Sequence, residues 1–254
     1  MLLLLHGNPT WSFLYRTIIL RLRSRFRCVA LDYPGFGFSK APLGYGFTPA
    51  EHAAVVEAFV LQLDLHDITI MMQDWGGPIG FAVAERQPKR VHALVIGDTW
   101  AWPADNRTMV LFSKILGGRL GRSLILRYNL FARVIVPGGV KRHTMSDAVR
   151  LHYTSQFPDR ESRIPTAVFP REILGSRAYL KQVERDLPTL RNLPALIVWA
   201  TKDPAFHEAE RIRFEKLFPT HETQVLEGAG HYIQEDAPED IAEAILRWYP
   251  TTQQ

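Results

Sequence analysis

Ile68-Thr69-Ile70-Met71-Met72-Gln73-Asp74-Trp75-Gly76-Gly77-Pro78-Ile79-Gly80 reads as a buried strand that runs into a tight turn and then into a helix. Gly76 and Gly77 carry no side chain, so the helix can pack close behind the turn and push the residue at its tip into the open. That residue is Asp74, a carboxylate placed where a nucleophile would stand.

The partners such a nucleophile needs lie in order along the chain. Upstream, Met1-Leu2-Leu3-Leu4-Leu5 followed by His6-Gly7-Asn8-Pro9 is an apolar run ending in a glycine turn, as expected of a strand buried on both faces. Downstream, Pro194-Ala195-Leu196-Ile197-Val198-Trp199-Ala200 is a second buried strand that delivers Asp203 in a Thr201-Lys202-Asp203-Pro204 loop. Last comes Glu227-Gly228-Ala229-Gly230-His231-Tyr232, a histidine among glycines ahead of a final amphipathic helix. The order nucleophile, acid, histidine resembles that of the α/β-hydrolases, and the turn at Asp74 resembles their nucleophile elbow. Asp stands where Ser is usual, and Met72 where the G-x-S-x-G form has glycine.

Four motifs carry a closer resemblance, to the haloalkane dehalogenases: His6-Gly7-Asn8-Pro9-Thr10-Trp11-Ser12-Phe13-Leu14-Tyr15-Arg16, Asp32-Tyr33-Pro34-Gly35-Phe36-Gly37-Phe38-Ser39, Gln73-Asp74-Trp75-Gly76-Gly77-Pro78, and Gly230-His231-Tyr232-Ile233-Gln234-Glu235-Asp236. They span nearly the whole chain. The resemblance implies an α/β-hydrolase fold, a mostly parallel sheet flanked by helices, with a catalytic domain at 1–100 and 191–254 and a helical cap at 101–190. It also implies hydrolysis of haloalkanes to alcohol and halide through a covalent alkyl-aspartate ester.

Residue types support that chemistry. A carboxylate attacking an sp³ carbon that bears halogen leaves an alkyl ester on Asp74 and releases halide, a weak base that needs no proton. The leaving halide needs hydrogen-bond donors, and the indole N–H of Trp75 is donor-only. Asn8 can add an amide N–H from the facing loop. The six tryptophans are Trp11, Trp75, Trp100, Trp102, Trp199 and Trp248, so none falls between Pro103 and Leu190. A halide clamp using a cap tryptophan is therefore a poorer fit than Asn8 with Trp75. In the second half-reaction His231 takes a proton from water, which attacks the ester carbonyl. The backbone N–H groups of Asn8 and Trp75 would form the oxyanion hole.

The acid that orients His231 is read as Asp203, with Asp98 as the alternative. Asp98 follows the strand Val91-His92-Ala93-Leu94-Val95-Ile96, a place where some dehalogenases carry their acid, or it caps a turn through its side chain. Asp32 reads as a turn residue at a strand end, and His6 as structural. No metal site is expected, since no H-E-x-x-H or clustered Cys/His spacing occurs, and no cofactor is implied beyond water.

The 254 residues are 46% hydrophobic and 22% charged, ordinary for a globular domain. Cys28 stands alone, which rules out an intramolecular disulfide and fits a reducing cytoplasm. No run approaches the roughly 20 apolar residues of a membrane span, and the apolar start lacks the basic flank of a signal peptide. Residues 101–190 carry 15 Lys+Arg against 7 Asp+Glu, net +8, and the remainder 15 against 19, net −4. The cap arginines are dispersed without a recognition motif, so neither nucleic acid nor membrane is expected as a partner; the expected partners are a small halogenated alkane, water and halide.

In the cap, helices are expected over Val110 to Ile115, Leu124 to Val136, Ser146 to Phe157 and Arg171 to Glu184, broken at Gly117-Gly118, Pro137-Gly138-Gly139 and Pro158. Phe112, Phe131, Val134, Ile135 and Phe169 are candidates for a pocket wall. Family members normally place two strands before the one that starts here at Leu2. Without them the strand Arg27 to Leu31 would be an apolar edge and self-association is expected. Two rival readings remain: an epoxide hydrolase, which would need a pair of cap tyrosines drawn from Tyr128, Tyr153 and Tyr179, and a truncated or non-catalytic relative that keeps the pocket.

Overall fold

The computed structural model describes residues 1–249. Six strands form one sheet: β1 (Leu2–Leu5), β2 (Cys28–Ala30), β3 (Ile68–Asp74), β4 (Val91–Thr99), β5 (Ala195–Ala200) and β6 (His221–Leu226). Their order is β2-β1-β3-β4-β5-β6, and every neighbouring pair is parallel. A parallel sheet is covered on both faces, which is why β1, β3, β4 and β5 are apolar runs instead of alternating ones. All four leucines of β1 are fully buried. Among the described residues β2 is one edge of the sheet, with its three side chains half-buried.

The helices in chain order are α1 (Arg16–Leu22), α2 (Pro49–Gln62), α3 (Gly76–Arg86), α4 (Arg107–Leu116), α5 (Arg119–Tyr128), α6 (Val136–Gly139), α7 (Asp147–Thr154), α8 (Ile164–Gly175), α9 (Arg177–Asp186), α10 (Glu208–Leu217), α11 (Ile233–Asp236) and α12 (Pro238–Trp248). α1 packs on α12, while α2, α3 and α9 form a second group. Among the described residues no helix is long and apolar enough to cross a membrane.

Strand register sets the site. Asp74 closes β3 opposite Thr99 of β4, after an irregularity between Gln73 and Asp74. Gly97 pairs with Val198, so Asp98 and the loop after β5 reach the same carboxyl edge of the sheet. That edge is where open α/β sheets gather their functional groups.

The strand–helix alternation stops after β4 and resumes at β5, and the helices between differ in detail from the sequence pattern. The run expected over Leu124 to Val136 breaks at Asn129, which takes a left-handed φ of 53° and donates from Nδ2 to the carbonyls of Thr154 (3.2 Å) and Phe157 (3.3 Å). Asn tolerates that conformation better than most residues, so it ends α5. Pro137-Gly138-Gly139, expected as a break, instead sits in α6, reached through a π-helical turn at Phe131–Ile135. Pro137 lies in the first turn, where a missing N–H costs nothing. The run expected over Arg171 to Glu184 is two helices parted at Ser176, and α8 begins as early as Ile164 and carries Pro170 in its interior. α9, within the segment expected as cap, lies against α3, with the Tyr179 hydroxyl donating to the Pro78 carbonyl at 2.9 Å.

Candidate active site

The turn between β3 and α3 holds Asp74 at a φ of 51°, a left-handed conformation costly for a residue with a side chain. The surroundings enforce it. A Cβ on Gly76 would run into the carbonyls of Leu5 and His6, and one on Gly77 into the Thr99 hydroxyl, so only glycine lets α3 start this close to β1 and β4. Thr99 Oγ1 donates to the Asp74 carbonyl at 2.6 Å and pins the turn from the neighbouring strand.

The Asp74 carboxylate faces the loop after β1. Asn8 N–H donates to Asp74 Oδ1 at 2.8 Å, and the Trp75 backbone N–H donates to the same carboxylate. Gly7 leaves room for that carboxylate, because a Cβ there would overlap it. Burial raises the Asp74 pKa above the usual carboxylate value, and His231 together with the two backbone donors opposes the rise.

His231 follows Gly230 after β6 and points Nε2 at Asp74 Oδ2, 3.8 Å away. Its Nδ1 hydrogen-bonds Asp203 Oδ2 at 2.8 Å. Burial works to lower the His231 pKa, but the charge and hydrogen bond of Asp203, with a further contribution from Asp74, raise it from 6.5 to about 9. Asp203 Oδ1 is itself fixed by the N–H groups of Ala205 (2.6 Å) and Phe206 (3.3 Å), and the Phe206 ring stacks on His231 at 5.7 Å. Asp203 is held below the usual carboxylate range: burial opposes this, and the His231 charge and hydrogen bond prevail.

Asp98 does not touch His231. It is fully buried at the end of β4, its Oδ1 accepts from Ala200 N–H at 2.9 Å, and its carboxyl lies against that of Asp203. His6 Nδ1–H donates to Gly7 O in its own loop (2.9 Å), its Nε2 accepts from Tyr33 N–H of the loop after β2 (3.2 Å), and burial lowers its pKa to about 4. Asp32 accepts from Ser12 N–H (2.8 Å) and Phe38 N–H (3.0 Å), organising two loops. Among the described residues no group of His, Cys, Asp and Glu could hold a metal ion.

Asp74, Trp75, Asn8 and His231 open into a cavity of about 300 Å³. Its roof includes Met109, Phe112, Phe131, Ile135 and Ile173 from the intervening helices. Of the expected wall residues, Val134 instead points to solvent, 58% exposed. Phe169 is buried behind the wall, 5.2 Å from the Trp75 ring. None of the three tyrosines expected in the cap lines the cavity: Tyr128 is exposed, Tyr153 donates to Glu235, and Tyr179 bonds Pro78.

The structure adds three positioning groups that sequence reasoning missed. Gln73, buried beside Asp74, donates from Nε2 to the His231 carbonyl at 3.0 Å and lies 3.3 Å from His231 Nε2. Asp236 collects the N–H groups of Gly230 (2.7 Å), Lys141 (2.9 Å) and Arg142 (2.8 Å), tying the histidine loop to the roof. Pro170 has no N–H for the carbonyl of Thr166 one turn earlier, and Asn8 Nδ2 donates to that carbonyl at 3.4 Å. None of the three had a sign in the sequence pattern, which starts a helix only after Pro170.

Comparison with known proteins agrees with this arrangement. Residues 1–238 match the family model described as alpha/beta hydrolase fold. The chain is 46% identical over 247 residues to haloalkane dehalogenase 2 of Mycobacterium tuberculosis, covering 96% of this chain and 86% of that protein. It is 32% identical over 260 residues to a cis-3-alkyl-4-alkyloxetan-2-one decarboxylase of Shewanella oneidensis, covering 98% and 82%. The crystal structure of haloalkane dehalogenase DbeA from Bradyrhizobium elkani superposes with a TM-score of 0.90 at 26% identity, covering 99% of this chain and 90% of that one. A carboxylate elbow, a histidine paired to Asp203 and kinship of this extent place the chain in the haloalkane dehalogenase family of α/β-hydrolase-fold proteins.

Proposed function

We propose that this chain hydrolyses small haloalkanes to alcohol and halide, with Asp74 as nucleophile, His231 as base and Asp203 as its acid. The catalytic body would be residues 1–100 and 191–254, with 101–190 as the cap. The observation that carries the reading is the geometry at Asp74. One carboxylate oxygen accepts from the Asn8 backbone N–H, the other faces an imidazole whose far nitrogen is bound to Asp203, and Asp74 and His231 open into an apolar cavity.

In the first step an Asp74 oxygen attacks the carbon bearing halogen. The new C–O bond forms as the carbon–halogen bond breaks, and the electron pair leaves with halide. Trp75 Nε1–H and the Asn8 amide receive the halide; Thr166 holds the Asn8 amide from behind. In the second step His231 Nε2 takes a proton from water while the water oxygen adds to the Asp74 carboxyl carbon. The oxyanion is held by the N–H groups of Asn8 and Trp75, and its collapse expels the alkoxide, which takes the proton from His231. Alkylation removes the negative charge of Asp74, one of the influences that keep a proton on His231, so the first step prepares the base for the second.

Epoxide opening by the same carboxylate would require proton donors for an alkoxide, and the cap tyrosines lie outside the cavity. The lone cysteine, half-buried Cys28, fits a reducing cytoplasm. The test is bromide release from 1-bromobutane and 1,2-dibromoethane, beside diol formation from styrene oxide and carbon dioxide release from a cis-3-alkyl-4-alkyloxetan-2-one. Bromide release that is abolished by Asp74→Ala supports the reading; diol or carbon dioxide without bromide overturns it.

A further inference from the structure

We propose that Asp98 is a positioning residue present as the carboxylic acid, whose O–H donates to Asp203 and holds that carboxylate in the rotamer that binds His231. The inference rests on the reading of Asp203 as the acid partner of His231. It extends that reading to a residue that makes no contact with His231, substrate or halide.

The hydrogen-bond count points to it. An ionised aspartate offers roughly four lone-pair sites. Asp203 fills three of them, with Ala205 N–H and Phe206 N–H on Oδ1 and His231 Nδ1 on Oδ2. Asp98 is fully buried, its Oδ1 accepts from Ala200 N–H, its own backbone N–H is a second donor to the carboxyl, and yet no donor reaches its Oδ2. A buried carboxylate satisfied at one oxygen alone is costly, and two ionised carboxylates in contact are more so. A proton on Asp98 removes both problems at once: the orphaned oxygen becomes a donor, and Asp203 gains its fourth partner.

The direction of proton sharing follows from the surroundings. Burial, then the negative charge of Asp203, push the Asp98 pKa well above the carboxylate range, whereas His231 draws Asp203 below it. The proton therefore stays on Asp98 and the charge on Asp203, next to the imidazole. Asp98 sits at a positive φ of 23° near the end of β4, an unfavourable conformation that persists only where its surroundings enforce it.

Three variants and one spectroscopic measurement decide the matter. Asp98→Asn keeps an N–H donor toward Asp203 and an acceptor for Ala200 N–H; Asp98→Ala removes both; Asp203→Asn removes the charge. Single-turnover kinetics with 1-bromobutane separate alkylation of Asp74 from hydrolysis of the ester. Expected is that Asp98→Asn hydrolyses the ester within about threefold of the wild-type rate with an unchanged pH profile, whereas Asp98→Ala slows hydrolysis about tenfold, the cost of one lost bond to a charged acceptor, and leaves alkylation intact. The infrared difference spectrum of wild type minus Asp98→Asn at neutral pH should contain a protonated-carboxyl C=O band. The proposal is overturned if that band is absent, if Asp98→Asn is as impaired as Asp203→Asn, or if Asp98→Ala matches wild type. If Asp203→Asn is unimpaired while Asp98→Asn accumulates alkyl-enzyme, the underlying acid assignment has failed.

Discussion

Replacing Asp203 by Asn should stop the reaction halfway. The rise of the His231 pKa from 6.5 to about 9 is the net of burial, which lowers it, and of its carboxylate partners, of which Asp203 ranks first. At about 1.4 kcal/mol for each tenfold change, that rise is worth roughly 3 kcal/mol in favour of the imidazolium. The imidazolium forms in the transition state for water attack on the ester, so losing most of this stabilisation should slow hydrolysis about a hundredfold. Alkylation of Asp74 requires no proton transfer and should proceed at close to its normal rate. With 1-bromobutane, Asp203→Asn should release one equivalent of bromide per enzyme in a burst and then turn over slowly, and intact mass should show the butyl adduct on Asp74. Equal slowing of burst and steady state would refute the reasoning, and so would steady-state turnover without a burst at the wild-type rate.

The pH dependence of stability has a definite sign. Because His231 binds its proton more tightly when folded, its contribution is fully present below about pH 6.5 and is lost as pH rises through about 9, by up to roughly 3 kcal/mol, so denaturant midpoints should fall across that window and His231→Asn should flatten the fall. Gly76→Ala would drive a Cβ into the carbonyls of Leu5 and His6, backbone atoms that cannot swing aside, and should cost about 1–3 kcal/mol in chemical denaturation; an unchanged midpoint would mean that α3 is free to shift. Pro170→Ala restores an N–H that competes with Asn8 for the Thr166 carbonyl, and should weaken inhibition by added bromide about fivefold while leaving ester hydrolysis unaltered, read by product inhibition and single-turnover kinetics.

Much of the layout of the candidate site was readable because its signals are local. β1, β3, β4 and β5 are predominantly apolar runs of a length that suits strands buried on both faces, and each candidate site residue stands at or just past the end of one, or after a glycine turn. The roof was harder. Its helix ends depend on the αL residue Asn129, whose side chain bonds carbonyls 25 and 28 residues away, and on two prolines that sit inside helices where a local reading would place breaks.

The sequence by itself determined the order Asp74, Asp203, His231, the glycines that let the turn form, and the apolar runs that become buried strands, since each depends on residue type within a few positions, and the parallel α/β architecture was legible through the resemblance its motifs carry. The tertiary structure decided which carboxylate meets the imidazole. Asp203 and His231 are 28 residues apart, and Gln73 and His231 158 apart, and they meet because the parallel strands β3 to β6 end at the same edge of the sheet. That register also buries Asp98 against Asp203 and away from His231, and packing carries the cap tyrosines away from the cavity. Contacts of this kind arise from the closure of long loops around a common core, and no spacing along the chain encodes them.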